Sequence, residues 1–125
     1  MNRIYYNKLI RDHIKSNIEA KGEQCEVREL SDDAEFEQEL LKKVAEESRA
    51  LAHVRTRADF LEEYADLMAA LDALTKLLEI SPAELALTLE DNVSKKGLYT
   101  SRHFLHWSAD SEYKSNETPQ GIKKQ

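Results

Sequence analysis

The chain has 125 residues, of which 18 are basic and 24 acidic, and this length suits a single domain with one modest core. Its net charge of −6 argues against nucleic-acid binding, because phosphate backbones repel an acidic surface. A lone cysteine, the lack of an apolar secretory signal near the start and the lack of any long apolar run lead us to expect a cytoplasmic protein with no membrane partner.

Turn-forming residues are sparse. Only three glycines and two prolines interrupt the chain, which favours long helices over short strands joined by tight turns. We therefore predict an all-α fold, a helical bundle of four to five helices formed by residues 1–107. Residues 108–125 are polar and aperiodic, and we predict that they form a disordered tail.

The first predicted helix covers about residues 8–21 and ends at Gly22, a residue typical of helix C-termini. Its apolar positions share one face: Leu9, Ile10, Ile14 and Ile18. Residues 23–30 are too few for a further helix, and we interpret them as an extended linker or a lone strand.

The second helix is predicted to start at Ser31, as N-cap, and to run to about His53. A third helix should start near Thr56, with Asp59 completing an approximate capping box, and continue to Glu79. The apolar stripe of the second helix consists of Phe36, Leu40, Val44 and Leu51.

The start of the fourth helix carries the clearest local signal. Ser81 is a capping residue, Pro82 suits the first helical position, and Glu84 completes a capping box. This helix is predicted to end at Gly97.

The third helix is apolar on more than one face over residues 64–78, which is not typical of a helix wetted on one side. We expect it to lie at the centre of a bundle or to be shared between subunits. A homodimer or homotetramer is the predicted assembly.

Two acidic pairs lie on the second and third helices. On the second helix Glu47 falls about 60° from Val44 and Glu46 about 160° away, so Glu47 is among the core positions. On the third, Glu63 and Asp66 are spaced i, i+3 in the apolar region. A carboxylate in such a position is costly unless it is paired or bound to metal.

If the two helices lie antiparallel, these acids converge on an oxygen-rich pocket suited to Mg²⁺, or alternatively to Mn²⁺. The alternative is that each acid belongs to an ordinary solvated helix face. For an anionic substrate, Lys8 and Arg11 lie one helical turn apart and could reach the same anion. Lys95 and Lys96 could also bind it, or could simply stabilise a helix C-terminus.

Four segments in this order resemble the MazG-type, all-α nucleoside triphosphate pyrophosphohydrolases, in particular the branch grouped with phosphoribosyl-ATP pyrophosphohydrolase. They are YYNKLIRDHI, KKVAEESRALA, FLEEYADLMAALDAL and NVSKKGLYTSRHFL. The similarity spans about residues 5–105. The family motif is E-E-x-x-E, a spacer of at least a dozen residues, then E-x-x-D. This chain has EESRA, twelve residues and EYAD, so Ala50 stands in place of the third glutamate.

The resemblance implies that Glu47, Glu63 and Asp66 coordinate Mg²⁺ and that Glu46 supports them. It also implies attack of water between the α and β phosphates of a nucleotide, releasing a nucleoside monophosphate and pyrophosphate. Asn92 matches a family position near the substrate, and the family forms dimers or tetramers.

Two alternatives remain open at this point. One is a nucleotide-binding or regulatory protein that has lost turnover because Ala50 replaces a metal ligand. The other is a structural helical interaction module whose acidic residues keep it in solution.

Overall fold

A computed structural model describes residues 2–110 and 112. Within these residues the chain forms four α-helices and no strand, which confirms the all-α prediction. The helices are α1 (Ile14–Ala20), α2 (Asp33–Ala52), α3 (Arg57–Leu77) and α4 (Pro82–Lys96). The chain divides into two compact units, Met1–Ala86 and Leu87–Gln125. The predicted tail, residues 108–125, lies mostly outside the described residues.

Helix α1 is shorter than predicted, because it starts at Ile14 and not near residue 8. The backbone at Asn7 is left-handed, with φ of 47°, and residues 8–11 are not helical. The prediction treated this apolar segment as helical. The charged side chains of Lys8 and Arg11 instead reach acids on α2 and α3.

The predicted stop of α1 at Gly22 is confirmed. Gly22 has φ of +80° and donates its N–H to Glu19 O at 3.0 Å, while Glu23 donates to Ile18 O at 3.4 Å. This pair of bonds is a Schellman motif, which favours a residue without a side chain at the left-handed position. The following segment, residues 23–30, has no regular secondary structure and forms no strand.

Side-chain caps set the starts of α2 and α3. Asp32 is the N-cap of α2, and its carboxylate accepts the Ala34 N–H at 3.2 Å. The prediction of Ser31 was therefore wrong by one residue, since Asp32 takes the extended backbone conformation that a cap requires. Thr56 caps α3 as predicted, accepting the Asp59 N–H at 3.0 Å.

Helices α2 and α3 pack against each other as a hairpin. The connection between them, residues 53–56, is short enough to make them antiparallel neighbours. Positions at equal distances from this loop therefore lie side by side. Leu40 on α2 and Ala70 and Leu74 on α3 are the buried residues of this interface.

Helix α4 begins and ends as predicted. Ser81 Oγ accepts the Glu84 N–H at 3.1 Å, and Gly97, with φ of +75°, donates to Val93 O at 2.7 Å. In the second unit, the rings of Phe104 and His106 meet edge to face with centroids 5.2 Å apart. No helix in the described part of the chain has both the length and the hydropathy needed to cross a membrane.

Candidate metal centre

Three carboxylates meet at the interface between α2 and α3. Glu47 lies five residues before the end of α2, and Glu63 lies six residues after the start of α3, so the antiparallel hairpin brings them to the same level. Asp66 follows Glu63 by one turn. One oxygen from each of the three side chains lies within 4.8 Å of the other two. We call Glu47, Glu63 and Asp66 the acidic cluster.

The exposure of the two glutamates on α2 confirms the prediction that only one faces inward. The Glu47 side chain is 14% exposed, whereas that of Glu46 is 42% exposed. On the helical wheel Glu47 lies about 20° from the buried Leu40, which explains its burial. Glu46 therefore borders the acidic cluster without joining it.

The donor set of the acidic cluster fits a hard divalent cation. Carboxylate oxygens are the preferred ligands of Mg²⁺, and two oxygens bound at 2.0–2.1 Å are at most about 4.2 Å apart. The three oxygens, up to 4.8 Å apart without an ion, would have to move closer together around one. Three carboxylates leave other coordination positions to water and phosphate oxygens, an arrangement that Mg²⁺ favours.

Electrostatic repulsion is evident at Glu63. Partial burial, followed by the negative charges of Asp66 and Glu47, raises the pKa of the Glu63 carboxyl above its usual value. The crowding therefore disfavours three full negative charges, and a bound cation would relieve it.

A lysine that the sequence analysis missed lies beside this cluster. Lys43 Nζ is 3.1 Å from Glu46 Oε2 and 3.3 Å from Glu47 Oε1, and its side chain is only 16% exposed. Burial lowers the pKa of Lys43, but the hydrogen bonds and charges of the two glutamates outweigh it and raise the value. The signal was present in the sequence, because Lys43 precedes these glutamates by three and four residues on one helix.

Lys8 and Arg11 contact acidic side chains, and the prediction that they lie one helical turn apart was wrong. Both precede α1, so they are not one helical turn apart. Lys8 Nζ lies 3.2 Å from Glu46 Oε1, and Arg11 Nη1 lies 3.4 Å from Asp66 Oδ1. The pKa of Glu46 is lowered, chiefly by the hydrogen bond from Lys43. Burial opposes this effect, and the hydrogen bond from Lys8 adds to it.

The other predicted substrate-binding residues lie on the last turns of α4, in the second unit. Asn92, Lys95 and Lys96 are all exposed. Lys95 Nζ pairs with Asp91 Oδ2 at 3.0 Å, one turn away on the same helix. Their role in substrate binding stays a prediction.

Ala50 is half-buried, one turn after Glu47. Within the described residues, no other grouping of three or more potential ligands accompanies the acidic cluster.

Comparison with protein-family models, with curated proteins and with solved structures finds no match to this chain. The function must therefore be argued from the geometry of the acidic cluster and of the cations around it.

Proposed function

We propose that this protein is a Mg²⁺-dependent nucleotide pyrophosphohydrolase of the MazG-like, all-α type. It would hydrolyse a nucleoside triphosphate, or a related nucleotide, between the α and β phosphates. Water adds to one phosphorus, the bridging P–O bond breaks, and a nucleoside monophosphate and pyrophosphate leave. Mn²⁺ is the other ion that this donor set would accept.

The observation that carries this proposal is the convergence of Glu47, Glu63 and Asp66, from two helices, to within 4.8 Å. These residues would hold the ion, which when bound polarises phosphate oxygens and neutralises their charge. Glu46 supports the site by fixing Lys8 and Lys43 beside it. Lys8 and Arg11 provide positive charge for the phosphates. Asn92, Lys95 and Lys96 remain predicted substrate-binding residues of this proposal.

A second candidate is a nucleotide-binding or regulatory protein with weakened turnover. It is favoured by Ala50, which contributes no ligand one turn after Glu47. Both candidates bind a metal–nucleotide complex, and only the first releases pyrophosphate.

The test is pyrophosphate release from a panel of nucleoside triphosphates with Mg²⁺. We expect release by the native protein and about a hundredfold less by Asp66→Asn, because the charge that holds the ion is reduced. Thermal stabilisation by nucleotide without turnover would select the second candidate. No effect in either assay would leave only a structural helical module.

We also propose that the protein is a homodimer or homotetramer whose contact includes the outer face of α3. Large apolar side chains on this helix are 36% to 51% exposed: Phe60, Leu61, Tyr64, Met68 and Leu71. On the helical wheel they lie within about 100° of one another, beside the face that packs on α2, and such a stripe can pair with itself about a two-fold axis. Light scattering at micromolar concentration should give at least twice the mass of 14.4 kDa, and a monomer would contradict this.

A further inference from the structure

Two cations from the segment before α1 contact carboxylates on different helices. Lys8 reaches Glu46 on α2, and Arg11 reaches Asp66 on α3, at 3.2 Å and 3.4 Å. The partners are 38 and 55 residues apart in sequence. Ion pairs therefore connect the segment of residues 8–11 to the acidic residues of both helices.

Both contacts are of a kind that is easily exchanged. The side chain of Arg11 is 64% exposed and that of Asp66 47% exposed, and ion pairs in water add little stability. Lys43 differs, because its ammonium is largely shielded and touches two glutamates at once. Arg11 can leave Asp66 at little cost, whereas Lys43 is held in place.

A cleft adjoins this contact. It has a volume of about 380 Å³ and is lined by Arg11, Asp12, His13, Ile14 and Asp66. It is open to solvent, because most of its lining residues are exposed. Asp66 belongs both to this cleft and to the acidic cluster. A ligand that bridges the two would contact the cation-binding carboxylates on one side and the Arg11 guanidinium on the other.

We propose that Arg11 exchanges partners. Without a divalent ion it neutralises Asp66, and when an ion takes Asp66 the guanidinium turns into the cleft and binds the polyphosphate of the nucleotide. A divalent ion at Asp66 would repel the guanidinium of Arg11, which is exposed and has one partner, whereas Lys43 is shielded and is held by two glutamates. A planar guanidinium binds phosphate oxygens in a fork, which gives the released side chain a stronger partner. This inference rests on the proposed function and assigns the cleft to the polyphosphate chain.

The exchange predicts opposite effects on two affinities. Arg11→Gln removes a competitor for Asp66, so free Mn²⁺ should bind about threefold to tenfold more tightly. It also removes a phosphate ligand, so the Mn²⁺ complex of a non-hydrolysable α,β-methylene triphosphate should bind at least about tenfold more weakly. Lys15→Gln is the matched control, because Lys15 pairs with Glu19 on α1, and it should change neither affinity. Calorimetry gives both values, and circular dichroism verifies that each variant is folded.

Arg11→Lys is the second variant. It keeps the charge but lacks the fork, so it should leave free Mn²⁺ binding near the native value and still weaken binding of the triphosphate complex. If Arg11→Gln weakens free Mn²⁺ binding, leaves it unchanged, or shifts both affinities in the same direction, the exchange is wrong while the proposed function stands. If the native protein binds no Mn²⁺, both are wrong.

Discussion

The ammonium group of Lys43 lies 3.3 Å from Oε1 of Glu47, within a part of α2 where both side chains are less than one-fifth exposed. This pair places a fixed positive charge against the acidic cluster. The Lys43 ammonium also lies 3.1 Å from Oε2 of Glu46, so one lysine forms ion pairs with two carboxylates.

Replacing Lys43 should therefore destabilise the protein without metal and make it respond more strongly to metal. Lys43→Gln leaves the Glu47 side chain largely buried and without its cation, and we expect the free energy of unfolding to fall by about 1 kcal/mol. Mn²⁺ should then raise the midpoint of thermal unfolding more than it does in the native protein. Urea denaturation and thermal scans with and without Mn²⁺ measure both effects.

Lys42→Gln is the control for this variant. Lys42 is 73% exposed and pairs with Glu39 on the same helix. Its loss should change the free energy of unfolding by no more than about 0.5 kcal/mol and should leave the response to Mn²⁺ as it is. Equal behaviour of the two lysine variants would show that Lys43 has no particular relation to the acidic cluster.

Neutralising Glu63 should have effects of opposite sign on stability and on metal binding. Crowding by Asp66 and Glu47 contributes to the raised pKa of Glu63, so Glu63→Gln removes repulsion and should raise the unfolding temperature without divalent ions. The same change removes a ligand, and Mn²⁺ affinity should fall at least about tenfold. Glu62→Gln, at an exposed neighbouring position, should keep the Mn²⁺ affinity. A loss of stability without metal in Glu63→Gln would count against mutual repulsion.

Adding an acid at Ala50 tests whether a ligand position is vacant. Ala50 lies one turn beyond Glu47 on α2 and is half-buried. Ala50→Glu should tighten Mn²⁺ binding several-fold, because a fourth carboxylate would approach the ion, and should lower stability without metal. Calorimetric titration gives the affinity. An unchanged affinity would mean that position 50 does not face the ion.

The pairing of Arg28 with Glu35 should give a pH-dependent part of the stability. Two guanidinium nitrogens lie 3.0 Å and 2.9 Å from the two carboxylate oxygens, and this bond lowers the pKa of Glu35 from the usual 4.5. Because the folded-state pKa is lowered, the stabilisation is present above pH 4.5 and is lost as the pH falls through the lowered value. Arg28→Gln should therefore be less stable than the native protein at pH 7 and equal to it in strong acid. Urea denaturation at several pH values measures the difference, and a constant difference would contradict this account.

Local patterns predicted most of the helices, since caps and stops depend on neighbouring residues. Thr56, Ser81 and the left-handed glycines act within a few residues of their own positions, and the structure confirms them. The spacing of acids on a helix also sufficed to predict that Glu47 faces inward and Glu46 outward. The short loop between α2 and α3 makes the two helices antiparallel neighbours, and this arrangement places Glu47 beside Glu63.

Contacts between distant segments were not predicted. The start of α1 was placed too early because the apolar spacing continues before Ile14, and the contacts of Lys8 and Arg11 with acids on α2 and α3 have no local pattern that would indicate them. Lys43 was missed for another reason. Charged residues are frequent in this chain, and an ion pair within one helix becomes notable only when its burial is known. The cleft beside Asp66 depends on the path of the N-terminal segment, which no local pattern indicates.

The central claim is that Glu47, Glu63 and Asp66 share a divalent ion. Titration of Mn²⁺ followed by electron paramagnetic resonance, which detects the free ion, tests it most directly. The native protein should remove Mn²⁺ from solution at a saturable site, and the triple variant Glu47→Gln, Glu63→Gln, Asp66→Asn should remove none at that site while remaining helical by circular dichroism. Equal Mn²⁺ uptake by the two proteins would contradict the account.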